Sequence, residues 1–192
     1  MLFNSYVFIF VFLPITFFVY FYLNHKRFTE ISKGFLVCCS LFFYSWWNVA
    51  YLPIILVSMM FNFVIGRSLN KTHINKSKKF SKKIILIFGI IFNLSLLFYF
   101  KYTDFLIENF NLAFGSNAEL LQLTLPLAIS FFTFQQIAYL IDCYREETRE
   151  YNFLNYSLFV TFFPQLIAGP IVHHKEMMPQ FVKTSNKIKK YL

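Results

Sequence analysis

Charged side chains are scarce in this chain of 192 residues, and acidic ones are scarcer still. Only 14% of the residues are charged, and just nine of them are Asp or Glu. A soluble domain has about a quarter charged residues. Long uncharged runs separate short charged stretches, and 57% of the chain is hydrophobic, with 29 phenylalanines. This pattern excludes an ordinary soluble domain and predicts an all-α integral membrane protein, a polytopic helical bundle.

Cysteine and glycine are too few for several kinds of site. The three cysteines, Cys38, Cys39 and Cys143, have neither the spacing of a zinc site nor the number that a disulfide framework needs. The five glycines form no phosphate-binding loop, and the sequence shows no Ser-His-Asp set or cluster of metal ligands. We therefore interpret the cysteines as small apolar core residues and predict neither a metal nor a bound cofactor.

The apolar runs differ in length, and length decides which of them can cross a bilayer. Residues 6–23, 84–100 and 120–141 form runs close to the roughly 20 residues that a spanning helix needs. Residues 34–47 and 50–65 form shorter runs, which are either tilted in a thinned bilayer or buried in protein. The sequence thus predicts that short helices accompany full spans.

The basic residues are concentrated in segments that indicate an orientation in the membrane. Seven of the 18 lysines and arginines lie in residues 67–83, which contain no acid, and such loops usually mark the cytoplasmic side. We therefore attribute the net charge of +9 to cytoplasmic segments and not to nucleic-acid binding. With residues 24–33 and 67–83 inside, the N-terminus and residues 101–119, an interfacial helix and loop, lie outside. The lysine-rich tail is then inside only if residues 151–168 do not cross the bilayer.

One apolar stretch ends in residues that a spanning helix avoids. It reads FFPQLIAGPIVHHKEMMPQF and carries Pro164, Gly169 and Pro170 at membrane depth. Backbone outside a helix is tolerated at this depth only where protein or a wet cavity surrounds it. We therefore favour a broken, re-entrant segment that borders a cavity open to the cytoplasm. The alternative is a simple span that ends at a Gly-Pro turn.

Polar side chains in and after the third long apolar run allow two interpretations each. Ser130, Gln135 and Gln136 lie inside the run, where they either bridge helices or line a substrate path. Asp142 and Arg145 follow directly after it, where they either form an ion pair at a cytoplasmic helix end or close a pore. For the charged residues we favour the ion pair, because helix ends at a membrane surface commonly carry such pairs.

His173 and His174 come directly after the broken stretch. Neighbouring side chains point about 100° apart on a helix and to opposite faces in an extended segment, so the two cannot share one metal ion. Only Glu176 is close enough in sequence to add a ligand. No nucleophile is paired with either histidine, which leaves a general-base role without support. We place both histidines near lipid head groups or at the cytoplasmic mouth of the cavity.

Four stretches of the chain are similar to one protein family. In chain order they are SLFFYSWWNVAYL, YFKYTDF, LPLAISFFTFQQIAYLIDCYREE and the broken stretch FFPQLIAGPIVHHKEMMPQF. Together they resemble the membrane-bound O-acyltransferase family, in its bacterial branch of alginate O-acetyltransferase-like proteins. The third and fourth stretches are long and specific, and the resemblance covers nearly the whole chain.

The resemblance implies a multi-pass enzyme of the inner (cytoplasmic) membrane. Family members move an acyl group, usually acetyl, from a cytoplasmic donor such as acetyl-coenzyme A towards a cell-envelope polysaccharide such as alginate or peptidoglycan. An extracytoplasmic acyltransferase often completes the transfer. On this basis we expect a donor cavity, with no bound cofactor, whose lining residues are Gln165, Gly169, Pro170, His173 and His174.

The family's catalytic histidine lies in its second half, and no histidine of this chain matches it. His25, His73, His173 and His174 all occupy other positions. We therefore expect residues 1–192 to be the N-terminal part of a single acyltransferase domain whose C-terminal half is absent, and we assign no catalytic residue to this chain. The alternative is a non-enzymatic membrane scaffold or a partner-binding subunit.

Overall fold

The computed structural model describes residues 4–46, 48–71, 79–148 and 152–169, together with Met177 and Phe181. Within these residues the regular structure is helical throughout, as the composition predicts. The elements in chain order are a π-helical turn (Phe8–Phe12), α1 (Leu13–His25), α2 (Thr29–Ser45), a 3-10 turn (Val49–Tyr51), α3 (Leu52–Lys71), α4 (Lys79–Phe114), α5 (Ile129–Tyr144), α6 (Phe153–Thr161) and α7 (Phe163–Ala168).

The outer surface of the bundle is apolar, as in proteins that face lipid. Among the described residues, three helical stretches are long and apolar enough to cross a membrane, namely Phe8–His25, Val49–Asn70 and Ser81–Phe114. Helices α2 and α5 are shorter, with 17 and 16 residues. Large hydrophobic side chains are exposed along the outer faces of α1, α3 and α4. The chain is an integral membrane protein in which helices of spanning length are combined with short ones.

Helices α1 and α2 form an antiparallel hairpin. Pro14 stands in the first turn of α1, directly after the π-helical turn, where its missing N–H is accommodated. At the other end of α1, Asn24 Nδ2 donates to the Tyr20 carbonyl at 3.0 Å, and Ser32 Oγ donates to Asn24 Oδ1 at 3.1 Å. Arg27 has a φ of 65°, which reverses the chain between the two helices.

Helices α3, α4 and α5 pack together, and their contacts show the direction of each. Ser58 of α3 bonds to Gln136 of α5, and further along both helices Asn70 bonds to Cys143, so α3 and α5 run parallel. An ion pair joins the start of α4 to the residues just after α5, so α4 runs antiparallel to both. The start of α4 therefore lies at the same end of the bundle as the ends of α3 and α5.

The close approach of α3 to α5 depends on Gly66. A Cβ atom at this position would lie 2.5 Å from Tyr139 Cε1 and 2.7 Å from the Tyr139 hydroxyl oxygen. The Tyr139 ring is fully buried and packs on Tyr156, with ring centroids 4.5 Å apart, so it has no room to move away. Small residues at helix contacts let membrane helices approach closely. This packing explains a glycine at a position where helix propensity alone disfavours one.

We expect Gly66→Ala to lower the midpoint of thermal unfolding in detergent by about 2–8 °C, because overpacking a core costs about 1–3 kcal/mol. Gly34→Ala is the matched control, since a Cβ atom there would meet only Leu154 Cδ1 at 4.0 Å. Because alanine favours the helix, Gly34→Ala should leave the midpoint unchanged or raise it. Equal effects of the two substitutions would contradict this account of the packing.

Helix α4 is a single helix of 36 residues and does not end where the sequence predicts. The predicted span 84–100 and the predicted interfacial segment 101–119 are joined without a break, so the boundary placed at Lys101 is wrong. A charged residue marks the edge of the apolar layer, not the end of a helix, and neither glycine nor proline occurs in residues 90–114. The helix ends before Gly115, whose φ of 64° is typical of a glycine that terminates a helix.

Helix α5 begins later than the apolar run 120–141 suggests. The helix starts only at Ile129, because Pro126 lacks a backbone donor and Ala128 has a left-handed φ of 55°. At 16 residues, α5 is about 24 Å long, which is shorter than the hydrocarbon core of a bilayer.

Side chains hold the non-helical segment that precedes α5. The Tyr51 hydroxyl donates to the Thr124 carbonyl at 2.6 Å, which ties the segment to the start of α3. Asp104 Oδ1 accepts from the Leu121 N–H at 2.9 Å, which ties it to α4. The segment is therefore fixed to two helices by hydrogen bonds to its own backbone.

Helices α2 and α3 reach past the predicted apolar runs into charged segments. The run 34–47 corresponds to α2, which already begins at Thr29. The run 50–65 corresponds to α3, which continues to Lys71. Long basic side chains at helix ends can extend to the membrane surface, so charges at these positions do not stop the helix. Both helices are consequently closer to membrane thickness than their apolar parts suggest.

Candidate functional site

Residues 151–168, which the sequence predicts not to cross the membrane, contain two short helices. Helix α6 has nine residues and α7 has six, so they are about 13 and 9 Å long. Neither covers the roughly 30 Å hydrocarbon core of a bilayer. Phe162 separates them with a ψ of 105°, and Pro164 then stands in the first turn of α7, where a helix tolerates proline. The predicted break in this segment is confirmed.

Helix α6 runs beside α2 in the same direction and stops part-way along it. Near the start of α6, Lys33 Nζ donates to Asn155 Oδ1 at 3.0 Å. Beyond its end, the Phe163 N–H donates to Ser40 Oγ at 3.3 Å. Ser40 lies about 16 Å along α2, counted from Thr29. Helix α6 therefore enters from the end of the bundle where α2 begins and breaks at mid-depth.

The break frees backbone groups that a continuous helix would pair with each other. The Phe163 N–H bonds to Ser40 Oγ instead of the Phe159 carbonyl. That carbonyl accepts a hydrogen bond from Gln135 Nε2 at 2.7 Å. Ser40 and Gln135 are fully buried and belong to α2 and α5. Two neighbouring helices thus supply the partners that a buried backbone group needs at membrane depth.

Aromatic packing fixes the start of α7. Phe163 is buried, and its ring lies edge-on to Phe12 and Phe8, with centroid distances of 5.2 and 6.0 Å. The Phe43 ring is 5.8 Å away and tilted. Each such pair contributes about 0.5–1.5 kcal/mol beyond the burial of its area. The break is therefore anchored on the start of the chain and on α2.

The structure describes two of the five residues predicted to line a donor cavity. The Gly169 N–H donates to the Gln165 carbonyl at 3.0 Å, and a Cβ atom at Gly169 would lie 2.7 Å from Gln165 Cα. Gln165 is 8% exposed, and Gly169 is half-buried. The structure thus brings these two together at the end of α7. Pro170, His173 and His174 lie outside the described residues, and the role of all five in lining a cavity stays a prediction.

Met177 and Phe181, the described residues beyond Gly169, lie back against the bundle. The Phe181 ring meets the Phe162 ring edge-on, with centroids 5.5 Å apart. Met177 is 7% exposed and packs in the main hydrophobic core, which also contains Tyr156. The chain therefore comes back to the break after leaving it, an arrangement that agrees with a segment that enters and returns.

Gln136 connects α5 to the opposite side of the bundle. Its Oε1 accepts from Ser58 Oγ at 2.7 Å and from Asn62 Nδ2 at 2.6 Å. Asn62 and Asn93 exchange hydrogen bonds of 2.6 and 3.1 Å, which brings α4 into the same buried network. The interpretation that the glutamines bridge helices is confirmed, since Gln135 bonds to α6 and Gln136 bonds to α3.

The charged residues after α5 differ from the expected pattern. Asp142 is 1% exposed and Arg145 lies on the surface. No ion pair joins these two described residues, unlike Lys33–Glu30 and Lys82–Glu146, so the predicted pair is wrong. Instead, Lys82 Nζ lies 2.9 Å from Glu146 Oε1 and 5.6 Å from the centre of the Tyr144 ring. This contact links the start of α4 to the end of α5.

In the part of the chain that the structure describes, no group of three or more His, Cys, Asp or Glu could hold a metal ion. Cys143 is buried, in agreement with the sequence interpretation, whereas Cys38 is exposed on the outer face of α2.

Comparisons with known proteins agree with this architecture. A sequence profile of the membrane-bound O-acyltransferase family matches residues 143–191, a range that includes α6 and α7. A peptidoglycan O-acetyltransferase of Helicobacter pylori is 47% identical over 217 residues, which cover 100% of this chain and 40% of that relative. The chain belongs to the membrane-bound O-acyltransferase family.

Other members of this family are also similar along the whole chain. A probable alginate O-acetylase, AlgI, of Pseudomonas aeruginosa is 34% identical over 196 residues, which cover 100% of this chain and 36% of the relative. The AlgI of Azotobacter vinelandii is 32% identical, and 38% of it is covered. The chain spans about two fifths of the length of the curated relatives it matches. No solved structure matches it.

Sequence reasoning missed four polar residues that hold the helix bundle together. They are Ser40, Ser58, Asn62 and Asn93, and each is fully buried. Each stands between apolar neighbours in an apolar run, and a polar residue at membrane depth usually bonds to another helix. That signal was present in the sequence, but it does not say which helix supplies the partner.

We expect Asn62→Leu to lower the unfolding midpoint by about 2–8 °C, because it removes one hydrogen bond to the buried Gln136 amide and both bonds between Asn62 and Asn93. Asn93→Leu should lower the midpoint by less in the Asn62→Leu variant than in the native chain, because the Asn62 partner of Asn93 has already been removed. Asn109→Leu is the control, since Asn109 is exposed on α4 and its Nδ2 bonds only to the Phe105 carbonyl of the same helix. Strictly additive effects at positions 62 and 93 would contradict a shared network.

Proposed function

We propose that this chain forms part of a membrane-bound O-acetyltransferase, which transfers acetyl groups from a cytoplasmic donor towards a cell-envelope polysaccharide. The observation that carries the proposal is the 47% identity, across the whole chain, to a peptidoglycan O-acetyltransferase. Identity to the alginate O-acetylases is 34% or lower, so peptidoglycan is the acceptor that we propose first. No residue of this chain is assigned the catalytic step.

The proposed protein is a multi-pass protein of the inner membrane, with one end of the bundle in the cytoplasm. The end where α1 and α3 finish and α2 and α4 begin carries Lys26, Arg27, Lys33, Arg67 and Lys82. The charged residues at the opposite end are Lys101, Asp104, Glu108 and Glu119. An excess of basic residues marks the cytoplasmic side, which supports placing the first end there. Helix α6 then enters the membrane from the cytoplasm.

The break between α6 and α7 is the proposed place where the donor approaches. A donor such as acetyl-coenzyme A carries phosphate groups, which suit the lysines and arginines of the cytoplasmic end. At the break, Gln135 Oε1 is buried and has no partner among the described residues, so it is free to accept a hydrogen bond from a polar group. We propose that the cavity lining comprises Gln165, Gly169, Pro170, His173 and His174.

An extracytoplasmic acyltransferase is the proposed partner, as the family resemblance implies. The end of α4 lies at the side of the bundle that such a partner would face. Its side chains Phe110, Leu112 and Phe114 are exposed and apolar, which supports a contact with protein or lipid at that side.

The orientation can be tested by cysteine labelling in intact cells, in a variant whose native cysteines are replaced. We expect a membrane-impermeant thiol reagent to label Asn117→Cys but neither Ser77→Cys nor Ser185→Cys, because the last two positions are proposed to be cytoplasmic. Labelling of all three after permeabilisation is the control. Labelling of Ser185→Cys without Ser77→Cys in intact cells would mean that α6 and α7 lead the chain across the membrane.

The function can be tested with a chimera in which this chain replaces the matching region of the Helicobacter pylori relative. In a strain that lacks the relative, we expect the chimera to restore O-acetylation of peptidoglycan, measured as acetate released by base from purified cell walls. The relative without this region is the control and should release none.

A chimera that accumulates in the membrane but leaves the cell walls unacetylated would contradict the proposal and favour a scaffold role. The chain expressed by itself in the same strain gives a second result. We expect it to restore no acetylation, and restoration would assign the chemistry to residues present here, with His173 and His174 examined first.

A further inference from the structure

We propose that Ser40 and Gln135 are positioning residues, which hold the break between α6 and α7 by pairing the backbone groups that it frees. Neither residue is among the predicted cavity lining. The part of the test that measures stability is independent of the proposed acetyl transfer, and only the activity measurement rests on it.

The two side chains replace the two halves of a single missing hydrogen bond. In an uninterrupted helix the Phe163 N–H would donate to the Phe159 carbonyl, four residues earlier. Here the N–H donates to Ser40 Oγ at 3.3 Å, and the carbonyl accepts from Gln135 Nε2 at 2.7 Å. Because Ser40 lies on α2 and Gln135 on α5, the broken helix is held between two others.

Water cannot take the place of these side chains without opening the bundle. Ser40, Phe159 and Gln135 are all buried, and the Phe163 ring closes the other side against aromatic neighbours. A buried backbone group that loses its partner bears the full desolvation penalty. The break is therefore stable at mid-depth only while both side chains are present.

Pro164 prevents a regular helix from continuing through Phe162, so the need for the two side chains depends on it. Proline lacks an N–H, and its ring clashes with the carbonyl four residues earlier, that of Val160. Without the proline, the chain can continue as a helix and pair Phe163 with Phe159 directly. Ser40 and Gln135 then no longer have an unpaired backbone group with which to form a hydrogen bond. Their contribution should consequently be coupled to Pro164.

Gln136 is a control that the chain itself provides. It has the same side chain as Gln135, is equally buried and stands next to it on α5, but its Oε1 bonds to Ser58 and Asn62 of α3. Its contribution to stability should therefore be independent of Pro164. The comparison separates a role at the break from the general cost of removing a buried glutamine.

The experiment is a set of double-mutant cycles on the full chain in detergent, measured as unfolding midpoints. We expect Gln135→Met to lower the midpoint by about 2–8 °C when Pro164 is present. In a Pro164→Ala background, the shift caused by Gln135→Met should fall to less than about half of its value in the native chain. The shift caused by Ser40→Ala should depend on Pro164 in the same way. Gln136→Met should lower the midpoint by the same amount with Pro164 and with Pro164→Ala. An equal cost of Gln135→Met with and without Pro164 would overturn the proposal.

Two further variants keep the outcome decisive. If Pro164→Ala does not accumulate, Pro164→Leu also restores the N–H, and it adds a residue with high helix propensity. In the chimera, combining Pro164→Ala with Gln135→Met should recover the unfolding midpoint that Gln135→Met lowers. The combination should still reduce O-acetylation about tenfold or more, because a straight helix displaces Gln165 and Gly169. Recovery of both would show that Gln135 only stabilises the fold. An inactive chimera would contradict the proposed function, but the stability cycles would still test whether Ser40 and Gln135 hold the break.

Discussion

Backbone amides and carbonyls inside a membrane must find partners within the protein, and the described structure depends on this constraint. Most of the chain meets it by forming helices. Where the helix stops, side chains supply the missing partners, as Ser40 and Gln135 do around Phe162. The same solution appears before α5, where Tyr51 and Asp104 bond to the backbone of a non-helical segment. At both of these places, polar side chains from other parts of the bundle pair with irregular backbone.

Helix α5 connects two groups of helices because its adjacent glutamines point in different directions. Side chains at neighbouring helix positions are about 100° apart, so Gln135 and Gln136 face different sides. Gln135 reaches α6, which packs against α2, and Gln136 reaches α3 and, through Asn62 and Asn93, α4. A short helix that cannot span the membrane alone is held by amide contacts on both sides. This explains why two polar residues are tolerated in the middle of an apolar helix.

Local chemistry was predictable from the sequence, and long-range pairing was not. Pro164 predicts a break, because a missing N–H acts within one helical turn, and the glutamine pair predicts helix bridging. The use of Ser40 as a partner depends on how α2 packs against α6, which no local pattern encodes. The charge of Lys101 marks the edge of the apolar layer, but a helix continues across such an edge. The left-handed backbone of Ala128 delays α5, and an alanine gives no warning of it, because this conformation is uncommon for residues other than glycine.

The unequal lengths of neighbouring helices have a consequence for the lipid around them. Helix α4 is about 54 Å long, and even at a tilt of about 40°, the upper end of what membrane helices show, it extends about 41 Å, the full thickness of a bilayer with its head groups. Helix α5, packed beside it, is only about 24 Å long. The lipid does not have to match the whole of α4, because its uncharged part, residues 84–100, extends only about 26 Å, close to the length of α5. The rest of α4 begins at Lys101 and projects beyond the apolar layer into the head groups and the water.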